Sequence, residues 1–233
     1  MTSRLEKIVE FVENNSIVAD IGTDHGLVPI YLSKNRIAKR IIGIDVSEKS
    51  LLKLKLKIEN NMKYQNIYPI VSDGLKALKP FEVDTIIISG MGGILISKIL
   101  SDSPEVAKSV NTLILQGNNN IEALRRFLHE NGYIIADESD VFENNKYYQI
   151  LKVESGLEQY KKDYYYEFGK ILIEKGSCNL NEFINLEIKK IDNIIYNIEA
   201  LSKEDMTEKI NNFNERKEYL RQVTKEIESN RSN

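Results

Sequence analysis

"YIIADESDVFENNKYYQILKV", Tyr133 to Val153, contains two runs rich in β-branched and aromatic residues, Tyr133–Asp137 and Tyr147–Val153. Only ESDVFENNK separates them, a short polar segment that reads as a turn with no helix in it. Strands joined so closely pair antiparallel, because a parallel pair needs a crossover of about a dozen residues or more. Upstream the pattern is different. From Ile17 to the hairpin, short apolar runs alternate with amphipathic stretches, as expected of βαβ units and a mostly parallel sheet. The expected strands there are Ile17–Ile21, Arg40–Ile44, Ile67–Val71, Thr85–Ser89 and Leu113–Gln116. Helices are expected near Leu27–Asn35, Glu48–Asn61, Leu95–Ser101 and Ile121–Glu130. Several of the strands are apolar throughout, as strands covered on both faces must be.

A parallel sheet that ends in an antiparallel hairpin predicts the Rossmann-like, seven-stranded fold of class I S-adenosylmethionine (SAM) methyltransferases; a plain dinucleotide-binding domain does not close this way. Downstream of about Glu154 the strand signals stop and apolar residues recur at helical spacing. Ile184, Ile188, Ile191, Ile195 and Ile198 step by four and three, a heptad seam. A second seam runs through Met206, Ile210, Phe213, Leu220 and Ile227, with Ser202 and Asp205 spaced like a helix start before it. The reading is an α/β domain over 1–154 and a C-terminal helical coiled-coil hairpin over 155–233, its first part a tyrosine-rich helix around Tyr160–Glu174.

The composition, 42% hydrophobic and 29% charged over 233 residues, is that of a globular chain long enough to bury a core. Its single cysteine, Cys178, excludes an internal disulfide, and with only His25 and His129 as further soft ligands no structural zinc site is expected. The start, MTSRLEKIVEF, has no apolar signal core, and no stretch approaches the roughly 18 apolar residues of a membrane span. A cytoplasmic protein, monomeric and without a membrane partner, is expected. A net charge of −3 neither demands nor excludes nucleic acid.

Ligands of open α/β sheets bind beyond the carboxyl ends of the strands. Those positions carry Asp20-Ile21-Gly22-Thr23-Asp24-His25-Gly26, then Asp45, then Asp73-Gly74, then Gly90-Met91-Gly92-Gly93. The glycines at 22 and 26 do not give the G-x-G-x-x-G spacing that lets a pyrophosphate approach a helix N-terminus. SAM has no phosphate, and its sulfonium and amino group suit carboxylates near the first turn. Asp45, at the end of the second strand, stands where an acid accepts from both ribose hydroxyls, and Asp73 could accept from the adenine amine. Plainer readings remain beside these: a strand-to-helix turn at Asp20 and Gly22, a helix cap at Asp24 or Asp45, a turn at Asp73 and Gly74, and a loop histidine at His25.

"ADIGTDHGLVP", "SGMGGILISKIL", "LILQGNN" and "KYYQILKVE", in this order and at these distances, resemble the bacterial TrmK family of tRNA adenine methyltransferases, which methylate ring nitrogen 1 of the adenine at tRNA position 22. The resemblance covers essentially the whole chain. It implies SAM as cofactor and tRNA as partner. It places Asp20, Gly22, Thr23, Asp24 and His25 in the cofactor pocket, Asp45 at the ribose, Asp73 and Gly74 beside the adenine, and Gly90, Met91 and Gly92 beside the methyl group and target base. Asp24 is the candidate catalytic residue, stabilising the cationic product. Phosphate contacts are expected from Arg4, Lys34, Arg36, Lys39 and Arg40, with Arg125 and Arg126 as further cations on a later helix. Rival readings are a SAM methyltransferase of another RNA, a protein or a small molecule, a nucleotide-binding helical interaction protein without catalysis, and a dinucleotide oxidoreductase.

Overall fold

The computed structural model describes residues 2–201 and 206–231, so the Ser202 and Asp205 helix start lies outside the described residues. The chain divides into two compact units, Met1–Gln159 and Tyr160–Asn233.

In the first unit the strands are β1 (Ser16–Ile21), β2 (Ala38–Asp45), β3 (Ile67–Val71), β4 (Thr85–Met91), β5 (Thr112–Gly117), β6 (Tyr133–Glu143) and β7 (Lys146–Ser155). They form one seven-stranded sheet in the order β3-β2-β1-β4-β5-β7-β6. Pairing is parallel from β3 to β5, and β7 is antiparallel to both β5 and β6. The helices are α1 (Ser3–Glu10), α2 (Leu27–Lys34), α3 (Glu48–Glu59), α4 (Gly93–Asp102), α5 (Pro104–Ser109) and α6 (Ile121–Glu130). Alternation along the strands builds two cores. Ile87 and Ile114 join Leu5, Ile8, Val28, Leu32, Leu51 and Leu54 beneath α1, α2 and α3. Their neighbours Ile86, Ile88, Leu113 and Leu115, equally buried, face the side that α4 and α6 cover.

The hairpin is longer than the sequence pattern indicates. Both strands run through the polar stretch to a two-residue turn, Asn144 and Asn145, with φ of 51° and 60°. Positive φ at both central residues is the primed turn whose twist matches the strands it joins. The polar residues that looked like loop, Glu138 and Asp140, are buried strand positions.

In the second unit the tyrosine-rich segment is two short helices, α7 (Asp163–Phe168) and α8 (Lys170–Glu174), separated at Gly169 with φ of 91°. Two long helices follow, α9 (Cys178–Leu201) and α10 (Thr207–Arg231), and they pack against each other. Along the first seam Ile184 and Ile191 are buried and Ile188, Ile195 and Ile198 half-buried, and in the second Leu220 and Ile227 are buried. Among the described residues no helix is long and apolar enough to cross a membrane.

Candidate functional site

Gly22 and Gly26 turn the chain sharply at the end of β1, with φ of 71° and 69°. Between them Asp24 also takes a positive φ, 44°, which an aspartate tolerates better than most residues. Helix α2 begins with Gly26 as its N-cap and no side chain capping it, so Asp24 is not the cap. Its backbone N–H donates to Asp45 Oδ2 at 3.0 Å, and Asp45 Oδ1 accepts from the Ser47 N–H at 2.8 Å. Asp45 thus ties the first turn to the start of α3. Each of its carboxylate oxygens keeps acceptor capacity for a further donor.

This turn forms one wall of a cleft of about 220 Å³ lined by Asp20, Gly22, Thr23, Asp24, His25, Leu27, Val28, Ser89, Gly90, Arg4 and Leu5. Asp20 is buried at its floor, and burial raises its pKa from the usual carboxylate value to about 7; the Asp45 charge adds to the rise, and the Thr23 hydroxyl opposes it without meeting hydrogen-bond geometry. The Asp24 carboxylate reaches outward, 3.6 Å from His25 Nε2. A buried acid over the middle of the sheet with a second acid at the rim makes a site for a cationic ligand.

Across the cleft the turn after β4 is held from β5. Gly90 has φ of 80°, its N–H donates to Gln116 Oε1 at 3.1 Å, and its carbonyl accepts from Asn118 Nδ2 at 2.7 Å. Met91 accepts from the Asn118 N–H at 2.7 Å through its carbonyl, and its side chain lies against Gly22. Gln116 is fully buried. Sequence reading did not single out Gln116 or Asn118 as site residues. The available signal was a glutamine ending an otherwise apolar strand at the ligand-binding rim.

The structure brings Asp20, Gly22, Thr23, Asp24, His25 and Gly90 together, with Asp45 and Met91 against them. Gly92 caps α4, beside Asn119. Asp73 and Gly74 are not among the residues lining the cleft. The Asp73 carboxylate is exposed and paired with Lys76, which holds its pKa below the usual value through that hydrogen bond and charge, while Gly74 packs against Ile99.

The expected phosphate contacts separate into three groups. Arg4 is turned into the cleft: Nη1 donates to Gln116 Oε1 at 2.7 Å, Nε lies 3.7 Å from Glu143 Oε2, and the guanidinium stacks 5.0 Å from the Tyr148 ring centroid. Arg40 is half-buried over Tyr68 and 3.8 Å from Glu82. Lys34, Arg36 and Lys39 are exposed. Arg36 and Lys39 line a shallow depression with Asn15, Lys63 and Asn66, at the amino end of β2. Residues that precede a parallel strand lie at the rim opposite those that follow it, and the length of β2 from Lys39 to Asp45 puts roughly 20 Å between this patch and the cleft. Arg125, also a candidate from sequence, is fully buried.

A Rossmann-like sheet ending in an antiparallel hairpin, with an acid-lined cleft at the β1–β4 rim and no phosphate loop, defines a class I methyltransferase. The family described as "Methyltransferase domain" matches residues 1–151. The chain belongs to that family, and within it to the TrmK family. The tRNA (adenine(22)-N(1))-methyltransferase of Bacillus subtilis strain 168 is 33% identical over 156 residues, which make up 67% of this chain and 66% of that enzyme. In that alignment the chain thus spans just under two thirds of the enzyme's length. Among solved structures, the B. subtilis m1A22 tRNA methyltransferase TrmK superposes with a TM-score of 0.80 at 26% identity, covering 96% of this chain and 98% of that one. Streptococcus pneumoniae Sp1610 in complex with S-adenosyl-L-methionine gives 0.79 at 29% identity, covering 99% of this chain and 100% of that one.

Proposed function

We infer that this chain is a SAM-dependent tRNA methyltransferase that transfers a methyl group to ring nitrogen 1 of adenine 22, as its B. subtilis relative is named for doing. The observation that carries the reading is the cleft, whose donor set fits a zwitterionic sulfonium. It has a buried carboxylate, a second acid at the rim, and one guanidinium whose Nε is sealed from water without a hydrogen bond. Asp20 takes the ligand's amino group and Asp45 its ribose. The bound cofactor supplies an electrophilic methyl group.

Ring nitrogen 1 of neutral adenine carries an in-plane lone pair, so no residue has to remove a proton before attack. What the protein contributes is position, and near-attack alignment accounts for roughly 7–11 kcal/mol of barrier reduction in favourable cases. The base must leave its stack to reach the cleft. Gly90, Met91 and Gly92, fixed from β5 by Gln116 and Asn118, form the ledge against which it lies. Asp24 faces the cationic product. Lys34, Arg36 and Lys39, exposed at the far rim, reach phosphates distant from the target base. The α/β domain over 1–154 carries the chemistry, and the helices over 155–233 serve tRNA binding. The enzyme acts as a cytoplasmic monomer.

The test is incubation with labelled SAM and unmodified tRNA, followed by digestion to nucleosides. 1-Methyladenosine mapping to position 22 is expected; SAM binding with no methylated nucleoside would remove the tRNA assignment and leave the fold. Replacing Asp24 with Asn keeps a residue that tolerates its positive φ and removes the charge. Turnover is expected to fall about tenfold with SAM affinity retained, less than the 10²–10³ of a dry electrostatic contact because the Asp24 side chain is 66% exposed. Undiminished turnover rules out the role.

Asp20 makes a pH prediction. A carboxyl whose pKa is raised on folding, here to about 7, contributes stability below its unfolded value of 3.8 and loses it as pH rises through 7. A cationic ligand favours the ionised form, so SAM affinity runs the other way, weakening as pH falls and approaching about a tenfold loss per pH unit below 7. Calorimetric titrations at several pH values check this. An unchanged pH profile in Asp20→Asn would show that another group is responsible.

A further inference from the structure

The amino ends of the parallel strands form a second rim, and it carries a surface that the cleft does not use. Of the aromatic rings described in the first unit, Tyr68 and Phe81 are the exposed ones, at 46% and 84%, and both stand here, Tyr68 near the start of β3 and Phe81 just before β4. Phe81 also has a φ of 63°. A bulky residue in that region is strained, and the strain persists only where the surroundings hold it. Here the Phe81 N–H donates to Ser109 Oγ at 2.9 Å. The fold gains no burial from the ring it holds outward, so a strained backbone presenting an apolar ring to solvent points to a ligand for that ring.

Cations surround the two rings. The depression at this rim is lined by Arg36, Lys39 and Lys63 and by no carboxylate, and none of these three side chains has an ion-pair partner among the described residues. Its floor is fixed. The Ser33 hydroxyl lies 2.9 Å from the Lys63 carbonyl oxygen and 2.6 Å from Asn66 Oδ1, and Asn66 Nδ2 donates to the Ala38 carbonyl at 3.0 Å, tying the start of β2 to that of β3. Lys39 and Arg40 are neighbours on β2 and point to opposite faces of the sheet, so positive charge wraps the rim. Arg40 stacks 5.0 Å from the Tyr68 ring centroid and lies 3.8 Å from Glu82, the residue after Phe81. The Phe81 turn and the Tyr68 ring thus meet at one guanidinium. Exposed rings beside unpaired cations suit a single strand of nucleic acid, whose bases stack on the rings while its phosphates meet the charges. A duplex offers no free base face, and an acidic protein would use the cations but leave the strained ring without a role.

We propose that this rim binds unpaired nucleotides of the RNA substrate, with bases stacked on Tyr68 and Phe81 and phosphates on Arg36, Lys39 and Lys63, roughly 20 Å from the base being methylated. This rests on the reading of RNA as substrate, and the experiment separates the two. The full chain is titrated with a labelled oligouridylate, which has no adenine for the cleft, and with duplex RNA of the same length. Phe81→Gly removes the ring and relieves the positive φ, so it should unfold at a temperature close to or above that of the wild type. Its affinity for the single strand should fall roughly five- to tenfold, and Tyr68→Leu should act likewise. Replacing Arg36, Lys39 and Lys63 together by Gln should flatten the plot of log affinity against log salt by about two, at roughly 0.7 per phosphate. Duplex affinity should follow the cations and not the rings, and in Phe81→Gly the KM for tRNA should rise more than kcat falls. The proposal is overturned if both ring variants bind the oligouridylate as the wild type does, or if they weaken single strand and duplex equally. A clearly lower unfolding temperature in Phe81→Gly overturns it too, by showing the ring to be structural. Polyglutamate competing as strongly as RNA of equal charge would mark a site for an acidic protein and overturn it as well. If the rings bind oligouridylate but no tRNA is methylated, this site stands and the substrate assignment falls. If tRNA is methylated and the ring variants keep its KM, only this site falls.

Discussion

Replacing Arg125 with Ala is expected to cost about 3–5 kcal/mol of folding stability, the range for removing one partner of a buried ion pair. Arg125 on α6 and Glu138 on β6 are both 0% exposed. The guanidinium donates to Glu138 Oε1 through Nε at 2.9 Å and Nη2 at 2.7 Å, and Nη2 also donates to Gln149 Oε1 on β7 at 3.0 Å. Truncation therefore takes the guanidinium away from a buried carboxylate at the point where the hairpin is fastened to its helix. Arg126, the next residue, is a control: its pair with Glu122 is 39% and 48% exposed, and its loss should change stability by no more than about 0.5 kcal/mol. Urea titrations of the two variants measure the contrast. A double replacement, Arg125→Met with Glu138→Leu, should recover most of the loss, because the penalty comes from an unpaired charge and not from missing attraction. A loss below about 1 kcal/mol in Arg125→Ala would show that water reaches this pair.

The same two arginines mark what was readable in the sequence. Side by side in "LRRF" they carry the same charge, and only the helix phase relative to a strand not yet placed tells them apart. The apolar strands were legible because burial on both faces leaves a run such as Ile86–Ile88 no polar position. The hairpin's extent was not legible, since Glu138 and Asp140 are strand residues whose burial depends on partners elsewhere, Arg125 for the first and Tyr147 for the second. Helix α1 has a local signal that a strand-by-strand reading of the α/β pattern does not use. Leu5, Ile8 and Val9 recur at helical spacing behind Thr2, whose hydroxyl accepts from the Leu5 N–H, and all three are buried. In the site, the residues of one loop were readable together, from Asp20 to His25, because adjacency in sequence already places them at one strand end. Arg4 and Gln116, 112 residues apart, meet only through the topology. Which rim the patch at Arg36 and Lys39 occupies follows from topology in the same way: a residue before a parallel strand lies opposite a residue after it.

Gly93→Ala is expected to lower turnover about 100-fold, as a misplacement of about 1 Å at a reacting centre does, and to cost about 1–3 kcal/mol of stability. A Cβ at Gly93 would stand 2.3 Å from the Asn120 carbonyl oxygen and 3.0 Å from that of Asn119. Both obstacles are backbone, so no rotamer relieves them. The loop after β5 would have to draw back from the first turn of α4, breaking the bond from the Gly93 N–H to the Asn119 carbonyl at 2.9 Å and pulling on that from the Asn118 N–H to Met91. Those bonds hold the turn proposed above as the ledge for the target base. Gly92→Ala separates this from a general intolerance of side chains in the turn: its Cβ meets only the Asn119 side-chain oxygen, at 2.8 Å, which can swing aside. The expected order in turnover is wild type, then Gly92→Ala, then Gly93→Ala far below. SAM affinity should change less than turnover, because Asp20 and Asp45, proposed above as its contacts, are anchored on other segments. If Gly93→Ala turns over like the wild type, the ledge tolerates displacement, and positioning by the β5 loop is not what limits methyl transfer.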